Sequence, residues 1–211
     1  FENRYVQTFF RAVPGLHEWS MLGKAWWHTT ELLSGRTTED LVPPYGDGWK
    51  YETVIVDGPA TGHGLDMLGV PKVIMDVAPP GPLRREAERA LKLFQDPTHA
   101  GVVLVTLPED MPTNETLELA AQIRTMRIPI QTLVVNQYHV PLFATDVRAA
   151  VIAQAKSSPL DPGRARATRE EIQAQALAKL ATLQVPTVFL PHLVTREPSE
   201  PSSILTLAQG L

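Results

Sequence analysis

The sequence predicts an α/β fold built on a mostly parallel sheet, and three observations carry that prediction. Short apolar runs rich in β-branched residues recur at Thr53–Val56, Gly101–Thr106, Thr132–Asn136 and Val185–Leu190. These runs show little polar alternation, as strands buried on both faces do. Segments with helical apolar spacing separate them, joined by short loops, which is the signature of parallel strands linked by crossover helices.

Taken in order, Tyr5, Val6, Phe9 and Phe10 at helical spacing predict a helix over 2–12, ended by Pro14-Gly15. A second helix is expected from Pro14 to Leu33, with Leu16, Trp19, Leu22, Ala25, Trp26 and Leu32 on its apolar stripe and the Trp26-Trp27 pair packed in a core. Gly35 through Gly48, rich in Thr, Pro, Gly and Asp, reads as a loop leading to the first strand, Thr53–Val56. That strand ends in Asp57, and Gly58, Pro59, Gly62 and Gly64 stop it. Leu65, Leu68 and Val70 then start a short helix near His63, with Thr61 as its cap. A carboxylate at the end of a buried parallel strand, followed by a glycine loop and a helix N-terminus, is where open α/β sheets bind phosphates.

After the Pro79–Pro82 cluster a helix is expected over Leu83–Phe94, then the strand 101–106 and a helix reaching Met126. Pro129 introduces the strand 132–136, followed by a helix over Ala144–Ala155 and a loop over 157–163. An amphipathic helix from Ala167 to Leu183 turns Ile172, Ala176, Leu177 and Leu180 inward. The strand 185–190 and a last helix over Ser202–Gln209 complete the chain. Right-handed crossovers put the strand C-terminal ends on one edge, which gathers Asp57, Thr106–Glu109, Asn136-Gln137 and Leu190–Leu193.

Composition sets bounds on function. The chain has 211 residues, 44% apolar and 20% charged, as expected of one sizeable globular domain or two small ones. A net charge of −4 leaves no electrostatic footprint for nucleic acid. With no cysteine the chain has no disulfide and no thiolate zinc or iron–sulfur site. No apolar run reaches the ~18 residues of a membrane span. A cytoplasmic location is the expectation.

The string Val54-Ile55-Val56-Asp57-Gly58-Pro59-Ala60-Thr61-Gly62-His63 resembles switch II of the arsenite-pump and tail-anchored-protein-targeting ATPases. That family comprises dimeric P-loop ATPases with a deviant Walker A, of the anion-transporting type. Val105-Thr106-Leu107-Pro108-Glu109, with Asn114-Glu115-Thr116, resembles the segment that follows in bacterial members. Val134-Val135-Asn136-Gln137 is similar to the family's adenine-reading Val-Val-Asn-Gln, and Leu190-Pro191-His192-Leu193 to its late adenine loop. Val13-Pro14-Gly15-Leu16, with Leu22-Gly23-Lys24, resembles the helix before switch II.

The resemblance implies a three-layer, Rossmann-like P-loop fold binding ATP and Mg²⁺ at a homodimer or heterodimer interface, with a membrane-associated protein as a further partner. Asp57 would organise Mg²⁺, Gly62 and His63 would report the γ-phosphate, and Asn136 and Gln137 with Pro191, His192 and Leu193 would hold adenine. An Asn side chain, with donor and acceptor together, suits adenine; the same residue also ends strands as a turn former. Glu109 and Glu115 suit cross-dimer contacts, and Glu115 also suits an acid favouring the helix dipole.

The chain departs from the family in having no Gly-rich loop with Lys and Ser/Thr. Gly23-Lys24 is followed by Ala25, and Glu18 stands where a Gly is needed. The expectation is therefore a single ATPase domain over 1–211, the C-terminal portion of such a protein, with 1–35 and 72–100 as helical segments of a subdomain. A chain of this kind would hydrolyse ATP negligibly by itself. Its intact protein would be a switch ATPase acting on a client; the other reading is a non-catalytic partner subunit. Without cysteines the zinc clasp and thiol arsenite site of some relatives are excluded, and the short 72–100 interval leaves no long client-groove insert.

Overall fold

The computed structural model describes residues 16–38, 47–153, 162–193 and 201–208. The helix expected over 2–12 and the loop over 157–161 lie outside the described residues, as do Trp19's side chain and Gln209. The chain divides into two compact units, 1–94 and 95–211.

In the first unit, α1 (Leu16–Thr30), α2 (Thr61–Val77) and α3 (Pro82–Gln95, which ends at the unit boundary) are the regular elements. Leu22 and Leu32 are buried as the apolar stripe requires. The two tryptophans part company. Trp26 donates to Glu86 on α3 at 3.1 Å and lies 5.6 Å beneath the Arg89 guanidinium, whereas Trp27 is 49% exposed, against the expected core position. After α1 the chain is pinned by single antiparallel bridges, Glu31 to Thr37 and Leu32 to Trp49. Glu31 also receives Lys50 Nζ and lies 3.1 Å from His28 Nδ1, and these neighbours hold its carboxyl below the usual range against its own burial.

Thr53–Val56 is not a strand. No described strand pairs with the segment, and Ile55 is 88% exposed. β-branched residues favour an extended backbone, while sheet membership needs a hydrogen-bonding neighbour. The helix that follows is longer than expected. It starts at Thr61 itself, so the cap position falls to Ala60, with no side-chain cap, and it runs through Pro71 to Val77. Proline removes one helical hydrogen bond without ending the helix here. Gly64 is required at its first turn, because a Cβ there would stand 2.7 Å from the Pro59 carbonyl oxygen.

The second unit carries the sheet: β1 (Val102–Thr106), β2 (Ile130–Tyr138) and β3 (Thr187–Pro191), all parallel, in the order β1-β2-β3. The three predicted strands of this half are present within a residue or two. The helices are α4 (Asp110–Thr125), α5 (Thr145–Ala153), α6 (Pro162–Leu180, continued by a 3₁₀ turn over Ala181–Leu183) and α7 (Pro201–Ala208). Helix α4 packs on β1 and β2. Leu104, Leu133 and Val135 form the buried row of that face, with Ile123 of α4 and Ile128 just after it also buried. Each such side chain stabilises by about 1.5–3 kcal/mol.

Two expectations about burial change. Residues Val103 and Val105, on the other face of edge strand β1, are 55% and 64% exposed, so β1 is not covered on both faces. On α6 the inward row is Ala167, Glu170, Gln173, Ala176 and Leu180, and Ile172 is 39% exposed. Apolar spacing alone misplaced that face by part of a turn, because two of its buried residues are polar.

Candidate functional site

Parallel strands deliver their C-terminal ends to one edge, and in the second unit that edge is built from three connections. A cleft of about 570 Å³ opens there, between Leu107–Pro112 after β1, Gln137 near the end of β2, His139 just after it, and the first half of α6. Clefts at the carboxyl ends of parallel strands are where such sheets hold ligands.

Pairing of β2 with β3 shifts between Val135 and Tyr138, so β2 carries one extra residue there, a β-bulge at Asn136-Gln137. Gln137 adopts φ 53°, a left-handed conformation that non-glycine residues rarely take. Asn136 Oδ1 accepts the Gln137 backbone N–H at 2.9 Å, which stabilises that turn. This carboxamide oxygen keeps a second lone pair, and no described residue engages its NH₂. On the neighbouring strand the His192 N–H donates to the Tyr138 carbonyl at 2.8 Å. Asn136, Gln137, Pro191, His192 and Leu193 thus meet at two adjacent strand ends, with Pro191 still within β3.

The β2–α5 connection is clamped by α6 through residues that apolar periodicity did not single out. Glu170, 1% exposed, accepts the backbone N–H groups of Leu142 at 2.8 Å and Phe143 at 3.2 Å, and Arg166 Nε at 2.7 Å. Burial pushes the Glu170 carboxyl up, but those three donors outweigh it and hold the group below the usual carboxylate range. Gln173, 2% exposed, exchanges two hydrogen bonds with the His139 backbone, at 2.9 and 2.8 Å. Buried polar side chains in a helix are satisfied by something, and here that something is a loop. The only sequence signal was their 3–4 spacing with Ala167 and Ala176.

Near the N-terminus of α4, Thr116 Oγ1 donates to the Pro112 carbonyl at 2.7 Å and lies 2.8 Å from the Thr106 hydroxyl, which ties the helix start to the end of β1. Glu109 takes the cap position without a side-chain cap bond, and Glu115 is exposed, as an acid near a helix start is expected to be.

Asp57, Gly62 and His63 belong to the first unit. Asp57 is exposed in the segment before α2, Gly62 and His63 lie in the first turn of α2, and a Cβ at Gly62 would meet nothing within 4 Å. The expected setting of Asp57 at the end of a buried strand is therefore corrected. Among the described residues no three His, Asp or Glu side chains group closely enough to hold a metal, and no helix is long and apolar enough to cross a membrane.

Fold and cleft together define a parallel α/β unit with an open cleft at its strand ends. Residues 83–156, which run from α3 through β2 to α5, match the family model described as anion-transporting ATPase. Through this segment the chain belongs to the anion-transporting ATPase family. It is also similar to ATPase BagA of Mycobacterium tuberculosis and to Mb3704 of Mycobacterium bovis, each 30% identical over 67% of this chain and 47% of the relative. The chain thus spans about half the length of the curated relatives it matches.

Proposed function

We propose that this chain contributes the base-binding and switch portion of an ATP-driven conformational switch. The observation that carries the reading is the bulge at Asn136-Gln137, set beside Pro191–Leu193 at the carboxyl edge of a parallel sheet, with Asn136 inside the family-matched segment. Bulges beside functional sites re-aim side chains. Asn136 has an NH₂ to donate to an adenine ring nitrogen and an oxygen lone pair for the exocyclic amine. The aliphatic Pro191 and Leu193 side chains are suited to lie against the ring.

These residues fit the base. Asp57 fits Mg²⁺ as a single exposed carboxylate, since that ion takes one or two carboxylates and fills its octahedron with water and phosphate oxygens. When bound, the ion would neutralise charge on the phosphates. Gly62 and His63, at the start of α2, are the residues proposed to respond to the γ-phosphate, through backbone N–H groups at a helix N-terminus. Dimerisation and coupling to a client or membrane-associated partner are part of the same proposal. The alternative reading is a non-catalytic partner subunit of such an ATPase.

Hydrogen exchange of the full chain with adenosine, guanosine or ATP tests the base site. Adenosine and ATP are expected to protect amides around 136–138 and 191–193, guanosine is not, and Asn136→Leu is expected to abolish the effect. Equal protection by guanosine, or none by ATP, removes the adenine reading. ATP turnover by the intact gene product then separates the switch from the partner subunit.

A further inference from the structure

A second cluster at the same edge is not accounted for by base binding. His139 Nδ1 lies 3.0 Å from Arg166 Nη1, and its Nε2 lies 3.2 Å from Arg169 Nη1. The His192 ring stands 4.6 Å from the His139 ring, centroid to centroid. A guanidinium only donates, and a neutral imidazole has one accepting nitrogen. One of the two arginines therefore faces an N–H, and the cluster holds more donors and more positive charge than it can satisfy internally.

Nearby carboxylates do not resolve this. Glu170 is committed to Arg166 and to the Leu142 and Phe143 N–H groups. Asp110, at the start of α4, pairs with Lys179 at 3.0 Å. Glu109 lines the cleft, yet among the described residues no carboxylate comes within ion-pair distance of Arg169. Arg169 and His139 both line the cleft, Arg169 and His192 are exposed, and His139 is half-buried, so a ligand has access.

We propose that Arg169, His139 and His192, with Arg166 behind them, form a binding site for a phosphate-class oxyanion. Such an anion supplies the missing acceptors to a planar guanidinium fork and two imidazoles at once. Partial burial, then Arg166, His192 and Arg169, hold the His139 imidazole below its ordinary 6.5. An anion reverses the electrostatic part of that effect, so binding takes up a proton and tightens as the pH falls through the histidine range.

The site does not depend on the adenine reading, because inorganic phosphate carries no base and adenosine no phosphate. The test is an imidazole NMR titration of the full chain with inorganic phosphate, pyrophosphate, ADP and adenosine, against chloride at matched ionic strength. Phosphate is expected to move the His139 and His192 resonances, more strongly at pH 6 than at pH 8, and adenosine is not. Arg169→Gln, an exposed change, is expected to weaken phosphate roughly tenfold, the equivalent of one charge-assisted hydrogen bond. A response to pyrophosphate and ADP but not to phosphate assigns the site to a diphosphate group. Histidine signals that no phosphate species moves, or equal affinity in Arg169→Gln, overturn the proposal; the wild-type titration decides even where that variant does not fold.

Discussion

Glu170 reaches across 28 residues to accept the Leu142 backbone N–H at 2.8 Å, and so α6 holds the loop that leaves β2. That single carboxylate satisfies two loop amides and one guanidinium from a position 1% exposed. Replacing Glu170 by Gln keeps the shape but turns one accepting oxygen into a donor. The expected cost is about 1.5–3 kcal/mol, the range for hydrogen bonds to charged groups. Urea unfolding measures it, and hydrogen exchange should show the loss centred on 139–144.

Acid should weaken the second unit in steps. His139 is held below 6.5 when folded, so the native state resists protonation and stability falls as pH drops below about 6.5. Glu170 is held below its ordinary 4.5, so its contribution is full above that value and fades beneath it. Asp96 is bound by the Thr98 hydroxyl, the Thr98 N–H and His99, which lower its carboxyl to about 2; its share is lost between about 3.8 and about 2. Urea midpoints measured across this range should decline stepwise. A flat profile from pH 7 to 5 contradicts the histidine step.

Gly64→Ala should disturb the start of α2, because the new Cβ would press on the Pro59 carbonyl at 2.7 Å. The ordinary helix preference for Ala, about 1 kcal/mol, would favour the variant in open helix. Here the steric term is expected to win, with lower thermal stability of the first unit. Gly62→Ala, with open space around it, serves as the control and should be neutral or stabilising.

Arg127 follows α4 at φ 60°, the left-handed position where glycine normally ends a helix. Its N–H donates to Arg124 and the next N–H to Ile123, so the backbone geometry is fixed by hydrogen bonds. Arg127→Gly is expected to raise stability by about 0.5–1 kcal/mol, readable as a higher denaturation midpoint.

What could be seen in the sequence followed from periodicity. The strands at 102–106, 130–138 and 187–191 and the helices between them were legible because their apolar runs pair with one another within the same unit. Thr53–Val56 has the same composition, but composition reports a preference for extended backbone and says nothing of a partner strand. The strand-end residues Asn136, Gln137 and Pro191–Leu193 could be named from their motif, while the bulge that arranges them depends on the register between two distant strands. Glu170, Gln173, Arg166 and Arg169 were hidden for a different reason. A polar residue on a helix reads as solvent-facing until the loop that it satisfies is known.

The extra residue in β2 also has a consequence for chain length. In an unbroken strand Tyr138 would point away from the Val135 side; the bulge turns it back, paired with Pro191 and 4.9 Å from the Phe189 ring. Position along the strand therefore matters as much as identity. Deleting one residue at Asn136-Gln137 would leave Tyr138 paired with Pro191 in an unbroken ladder and would remove the left-handed turn that arranges this edge. The number of residues before the connection and the side chain of Asn136, which accepts the Gln137 N–H, set this edge together.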